Sequence, residues 1–165
     1  MQIMPLAGRR ATLFLEPLKA AMAEFCIDTP LRQAAFLAQV GHESGQLRYV
    51  RELASGAAYE GRGDLGNVVA GDGVRFKGRG LLQVTGRANY AACGVALRLD
   101  LLSRPDLLEQ PGNACRSAGW FWQSRGLNRL ADAGDQERLT RRINGGVNGL
   151  AERRALYQTA RRVLA

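Results

Sequence analysis

The stretch GDGVRFKGRGLLQVTGRANY, residues 71–90, begins as a glycine-rich loop and ends in residues suited to a helix. It closes a longer tract: ten of the twenty glycines fall between residues 41 and 80. Glycine loses more conformational freedom on ordering than any other residue, so this density opposes regular helix. It favours ordered loops with unusual backbone angles, and a long loop inside a compact domain is usually functional or mobile. Leu81 to Thr85 reads as a short extended piece, with helix resuming around Ala88. GVRFKGRG lacks the Gly-Lys-Ser/Thr end of a phosphate loop. GRGDLG at 61–66 matches GxGxxG, but AAYE before it and NVVAGDG after it supply neither the buried strand nor the helix of a dinucleotide site.

Either side of this tract the chain looks helical. Residues 11–26 place Leu13, Phe14, Leu18, Met22 and Phe25 close to a helical stripe. Thr29-Pro30 reads as an N-cap and first helical position, opening a helix through LRQAAFLAQVGHE that stops near Gly45. A further short helix is expected over Gln46 to Leu53. Ser103-Arg104-Pro105 opens a short helix ending before Pro111, and Gly112 to Ser124 carries Ala118, Trp120, Phe121 and Trp122. Asp135 can cap a helix toward Ile143, INGGVNG is a turn, and AERRALYQTARRVLA is a basic amphipathic helix. In it Leu150, Tyr157, Ala160 and Leu164 share one side. Together these elements predict a mainly α domain over residues 1–165, without repeat, linker or second domain.

Composition narrows the function classes. No apolar run approaches the ~18 residues needed to span a bilayer. The apolar piece near the N-terminus is broken by Glu16, Pro17 and Lys19, so the expectation is cytoplasmic synthesis without a signal peptide. Net charge is +8 and the pI about 10.2, which favours polyanions: nucleic acid, anionic lipid or acidic wall polymers. No nucleic-acid recognition motif accompanies the charge. Cys26, Cys93 and Cys115 are odd in number and widely spaced, so free buried thiols are expected rather than a zinc knuckle.

Chemistry therefore rests on few residues. His42 is the only histidine, so a zinc site of the HExxH kind lacks its second ligand and no metal is expected. Ser44 is near, but nothing resembles a nucleophile elbow. The bland reading of His42, a helix-end residue bonded locally, is preferred. Carboxylates remain. Inverting glycoside hydrolysis needs one protonated carboxyl to donate to the leaving oxygen and one carboxylate to activate water, about 6.5–9.5 Å apart. Glu43 suits the acid, because burial and a helix C-terminus both disfavour its charged form. Glu52 suits the base, because Arg51 and Arg48 lie close in sequence and favour its charge.

FLAQVGHESG at 36–45, the 71–90 block and the late INGG at 143–146 resemble glycoside hydrolase family 19, which contains plant-type chitinases and many phage endolysins. The resemblance runs from about residue 29 to the C-terminus and favours the endolysin branch. It implies a lysozyme-like fold of two lobes, the smaller being the glycine-rich stretch at roughly 45–80, with a glycan groove between them. It implies Glu43 as general acid, Glu52 as general base with Glu60 of the same loop in reserve, and Thr85 holding the attacking water. Gln83, Asn89 and Tyr90 match groove residues, Asn144 a substrate-binding asparagine, and Arg153 an arginine bracing the carboxylates. His42 counts as a brace beside the groove. Asn148 stands where plant-type members usually carry glutamate, a departure that suits the endolysin branch.

The implied activity is hydrolysis of the β-1,4 bond between N-acetylmuramic acid and N-acetylglucosamine in peptidoglycan, without cofactor, by a monomer lacking a separate wall-binding domain. Such a protein acts at host lysis and reaches the periplasm with the help of a holin. The basic last helix, with Arg153, Arg154, Arg161 and Arg162, is expected to meet anionic membrane. Two rivals stand beside this: a chitinase acting on N-acetylglucosamine polymers, and a non-catalytic basic protein that binds wall or membrane.

Overall fold

The computed structural model describes residues 2–165. Helix α1 (Arg10–Glu24) buries Phe14, Leu18, Ala21 and Met22, a stripe at helical spacing. Helix α2 (Pro30–Glu43) starts at Thr29, whose hydroxyl accepts from the Arg32 N–H. It is buried almost continuously from Ala34 to Gly41, as befits a central helix. The short α3 (Asp72–Arg75) lies in the glycine-rich tract and α4 (Arg87–Leu97) follows it. Helices α5 (Pro111–Ser124), α6 (Leu127–Asp132), α7 (Gln136–Asn144) and α8 (Leu150–Val163) complete the chain. No β-strand forms among the described residues; isolated bridges join Arg51 to Arg79 and Arg79 to Val84.

The large lobe is built around α2. Helix α8 packs along it, while α1 packs on α5. Phe36 and Trp122 meet edge to face at 5.4 Å in the core, and the Trp122 N–H donates to Asn128 Oδ1 at 2.8 Å. The Phe25 ring fills the space where a Cβ on Gly119 would stand, so α1 and α5 approach closely there.

The small lobe packs Phe76 against Tyr90 and is otherwise held largely by polar groups. Glu60 accepts from the Gly71 N–H at 2.7 Å and the Gly73 N–H at 2.8 Å. Asp72, almost fully buried, takes the Arg87 guanidinium through both oxygens. Asn67 donates to Tyr59 O at 2.9 Å and accepts from the Arg87 N–H at 2.8 Å.

The structure departs from expectation at four places. Gln46 to Leu53 is not helical. Gln46 (φ 58°) and Leu47 (φ 67°) take left-handed angles, and Ser44 Oγ accepts the Leu47 N–H at 2.8 Å. The chain thus turns away at once, and residues 50–52 run against 78–80 through Gly80 N–H to Val50 O and Glu52 N–H to Gly78 O. Leu81 to Thr85 is mostly turn, with Gln83 at φ 47° and one bridge at Val84. Cys26 is exposed, whereas Cys93 and Cys115 are buried and their thiols are pushed up to about 12 by that burial. Finally, α8 presents no continuous basic face: Arg153 is fully buried, beside Leu156, Tyr157 and Ala160.

Candidate active site

Glu43 closes α2, and Arg153 lies one turn into α8, which packs beside it. A buried guanidinium must find several acceptors, since desolvated charge is otherwise costly. Arg153 finds three. Nη2 donates to Glu43 Oε1 at 2.6 Å, Nη1 to Gln39 Oε1 at 2.6 Å, and Nε to Asn148 O at 3.1 Å. Gln39 is itself buried and donates to Thr140 Oγ1 at 3.5 Å. Arg153 is 0% exposed and the Glu43 side chain 23% exposed, so the pair lies at the floor of an open surface. Glu43 Oε2 has no hydrogen bond among the described residues and remains available. Burial and the helix end are the local influences that the sequence shows for Glu43; the guanidinium of Arg153, the arginine that the resemblance places beside the carboxylates, faces it as well.

His42 sits beside this pair. Its Nδ1 lies 2.7 Å from Glu152 Oε2, so with the carboxylate accepting, Nδ1 carries the proton. The ring occupies the space above Gly149, where any Cβ would overlap it. His42–Glu152 and Glu43–Arg153 together fasten the end of α2 to the start of α8.

Glu52 belongs to the small lobe. Its N–H is held by Gly78 O at 2.9 Å, and its Oε2 accepts from the Tyr59 hydroxyl at 2.9 Å. Its Oε1 is buried without a partner. Burial, then the Glu52 hydrogen bond and charge, raise the Tyr59 hydroxyl above its ordinary value, keeping it a donor. The two arginines expected to support Glu52 are engaged elsewhere: Arg48 donates to Gly45 O, and Arg51 pairs with Glu109 at 3.5 Å. A tyrosine takes the place those charges were assigned.

Thr85 and Gln83 converge on the same spot. A Cβ on Gly78 would lie 2.6 Å from Gln83 Oε1 and 3.2 Å from Thr85 Oγ1. Gly78 therefore gathers the Glu52 backbone, Gln83 and Thr85 into one cluster, for which only a glycine leaves room. Asn89 donates to Thr85 O at 2.8 Å, fixing that segment.

The other candidates divide. Asn144 ends α7 and is exposed. Glu60 has both oxygens on backbone N–H groups of the loop, so it holds the small lobe in shape. Tyr90 is corrected from groove to core: it is fully buried, stacks near Phe76, and donates to Lys77 O at 2.7 Å. Its aromatic body is what the small lobe packs on, which removes it from any glycan. Two functional-looking residues were missed. Gln39 was legible as the one polar side chain a turn before Glu43 in an apolar helix; Tyr59 carried no such signal. Among the described residues no group of three or more His, Cys, Asp or Glu is placed to hold a metal ion.

A two-lobed helical domain with carboxylates on both lobes is the build of a lysozyme-like glycoside hydrolase. The chain belongs to glycoside hydrolase family 19: the family model described as class I chitinase matches residues 22–132, which include Glu43, Glu52 and Thr85. Asn144 and Arg153 lie beyond that match. The chain is 34% identical over 159 residues to a glycosyl hydrolase family 19 domain-containing protein of Haemophilus influenzae, covering 78% of each. It is 38% identical over 114 residues to an Arabidopsis thaliana endochitinase, covering 68% of this chain but only 39% of that one. A bacterial family 19 chitinase superposes with a TM-score of 0.77 at 27% identity, over 91% of this chain and 85% of its own. The class IV chitinase of Zea mays gives 0.72 at 26%, over 90% and 78%.

Proposed function

We propose that this glycoside hydrolase cleaves the β-1,4 bond between N-acetylmuramic acid and N-acetylglucosamine in peptidoglycan, as an endolysin released to the wall at host lysis. One observation carries the mechanism: each glutamate has one oxygen fixed by a protein donor and the other without a hydrogen bond among the described residues, the second of these, Glu52 Oε1, being buried. At Glu43, Arg153 holds Oε1, leaving Oε2 as the oxygen assigned to deliver the proton to the glycosidic oxygen. At Glu52, Tyr59 holds Oε2, and the buried Oε1, which has no donor of its own, is the oxygen assigned to take the proton of the attacking water, with Thr85 Oγ1 assigned to steady that water. Water enters from the face opposite the leaving group and the anomeric configuration inverts. No cofactor takes part.

Three features support peptidoglycan as the substrate: the charge of +8, the match of the 71–90 block to the endolysin branch, and Asn148 in place of a glutamate. The basic surface that serves adsorption to anionic wall or lipid comprises Arg154, Arg161 and Arg162. A second reading, chitin hydrolysis, is favoured by the names of the plant relatives and solved neighbours. Mass spectrometry of digested peptidoglycan, with the reducing-end sugar identified, tests the first reading. Muropeptides ending in N-acetylmuramic acid are expected. Release from chitin oligomers with none from sacculi overturns it.

A further inference from the structure

Helix α7 turns Leu139 and Thr140 into the core and Arg138, Arg141 and Arg142 outward. The three arginines and Leu130 of α6 line a cavity of about 390 Å³. Arg138 leans toward Asp135 at 3.5 Å, and Arg141 pairs with Glu137 at 3.0 Å. Arg142 makes no ion pair or side-chain hydrogen bond among the described residues. Its charge is exposed and uncompensated.

The position gives this cavity its meaning. Helix α7 ends at Asn144, and the loop that follows lays Gly149 on the His42 ring beside Glu43. At 1.5 Å rise per residue, Arg142 stands about 3 Å along the axis from Asn144 and Arg138 about 9 Å. A chain that runs along α7 from Asn144 passes the three guanidiniums in turn, since they share the outward face of that helix. Guanidinium matches carboxylate in shape and charge, donating to two oxygens at once. An unsubstituted N-acetylglucosamine polymer has no such group, whereas the lactyl-linked stem peptide of peptidoglycan carries several.

We propose that the Arg138–Arg141–Arg142 cavity binds a carboxylate of the peptidoglycan stem peptide, with Arg142 as its principal contact. This rests on the peptidoglycan reading. The test uses the full chain carrying Glu43→Gln, so that binding is read without hydrolysis. It compares, by titration calorimetry, soluble glycan strands that carry stem peptides with the same strands stripped of them by an amidase. Expected is a ratio of peptide-bearing to stripped affinity that falls about three-fold with Arg142→Gln, and about ten-fold when Arg138 and Arg141 are also changed to Gln. Arg142→Lys recovers part of the loss. Arg9→Gln, an equal charge change at the start of α1, leaves the ratio alone. An unchanged ratio in the Arg142 variants, or an equal fall with Arg9→Gln, overturns the cavity. A protein that binds neither kind of strand overturns it as well. Hydrolysis by the unsubstituted enzyme is scored separately: loss of the peptidoglycan reading shows there as absent muropeptides, whatever the binding ratio.

Discussion

The guanidinium of Arg153 meets the carboxyl of Glu43 at 2.6 Å, from a position with no solvent exposure to one that is 23% exposed. The pair joins α8 to α2 and aims Oε2 of Glu43 outward. Removing one partner of a buried pair leaves the other uncompensated, at a cost of roughly 3–5 kcal/mol. Arg153→Ala is therefore expected to lower the unfolding midpoint in urea strongly and to abolish hydrolysis. Glu43→Gln keeps an acceptor for Arg153 but cannot donate the proton, so it should fold normally and lose about 10²–10⁴-fold in kcat. Chemical denaturation and muropeptide release on the two variants separate scaffold from chemistry. A Glu43→Gln protein with undiminished release removes Glu43 as the acid.

Glu52 and Glu60 lie in one loop but differ in what holds them. Glu52 keeps a buried oxygen without a partner, whereas Glu60 spends both on the N–H groups of Gly71 and Gly73. Glu52→Gln should cost about 10²–10⁴-fold in kcat with stability nearly intact. Tyr59→Phe removes one hydrogen bond to a charged group, worth roughly 1.5–3 kcal/mol. It should lower kcat about ten-fold. Glu60→Ala should instead raise the rate of proteolysis within residues 55–75. If Glu60→Gln inactivates a well-folded enzyme and Glu52→Gln does not, the roles are reversed.

What the sequence disclosed and what it withheld follow from the range of the forces involved. The α2 N-cap at Thr29, the Asp135 cap of α7 and the stripe of α1 are local, and each was readable from spacing. The mainly α fold came through as well. The helix expected over Gln46 to Leu53 failed because Gln46 and Leu47 are committed to tertiary bonds: Gln46 Oε1 accepts the Leu6 N–H, and Leu47 O takes Arg10. Arg48 and Arg51 neighbour Glu52 in sequence but not in bonding, since long side chains choose partners across the fold. Tyr59 reaches Glu52 only because the glycine-rich loop turns back on itself.

Gly149 is the tightest point between the catalytic helix and its partner. It has φ +69° and the His42 ring where a Cβ would project. An L residue in that backbone region costs roughly 1–2 kcal/mol, and overlap with the ring adds about 1–3 more. Gly149→Ala should lower Tm by about 10 °C. It should also displace His42 from Glu152, visible as changed imidazole chemical shifts by NMR at a fixed pH. Gly134→Ala has φ +67° but open space around it, so its cost should be the backbone part alone.

The basic residues of α8 were expected to act together on anionic surfaces, but Arg153 is committed to Glu43 and Gln39. Only Arg154, Arg161 and Arg162 remain for that purpose. Changing these three to Gln should leave Tm within about 2 °C, since exposed substitutions usually cost little. Binding to vesicles containing anionic lipid should fall and lose most of its salt dependence. Unchanged vesicle binding in the triple variant removes α8 as the contact.

Asp72 and Arg87 set the acid sensitivity of the small lobe. The Arg87 hydrogen bonds, ahead of opposing burial and aided by the Val69 N–H, hold the Asp72 carboxyl below the ordinary aspartate value. A folded value depressed below the unfolded one contributes stability that is complete above the unfolded value, near pH 4. That contribution declines as pH falls below it and is gone once pH has passed the folded value. Between pH 4 and pH 2 the small lobe should therefore loosen before the large lobe. Hydrogen exchange should show residues 55–80 losing protection first, with α2 and α5 following at lower pH. Asp72→Asn cannot be charged in either state. It should already be loosened at pH 7, and its exchange over residues 55–80 should change little on acidification. If the wild-type lobe keeps full protection to pH 2, or if Asp72→Asn retains the same acid transition, another carboxylate governs the response.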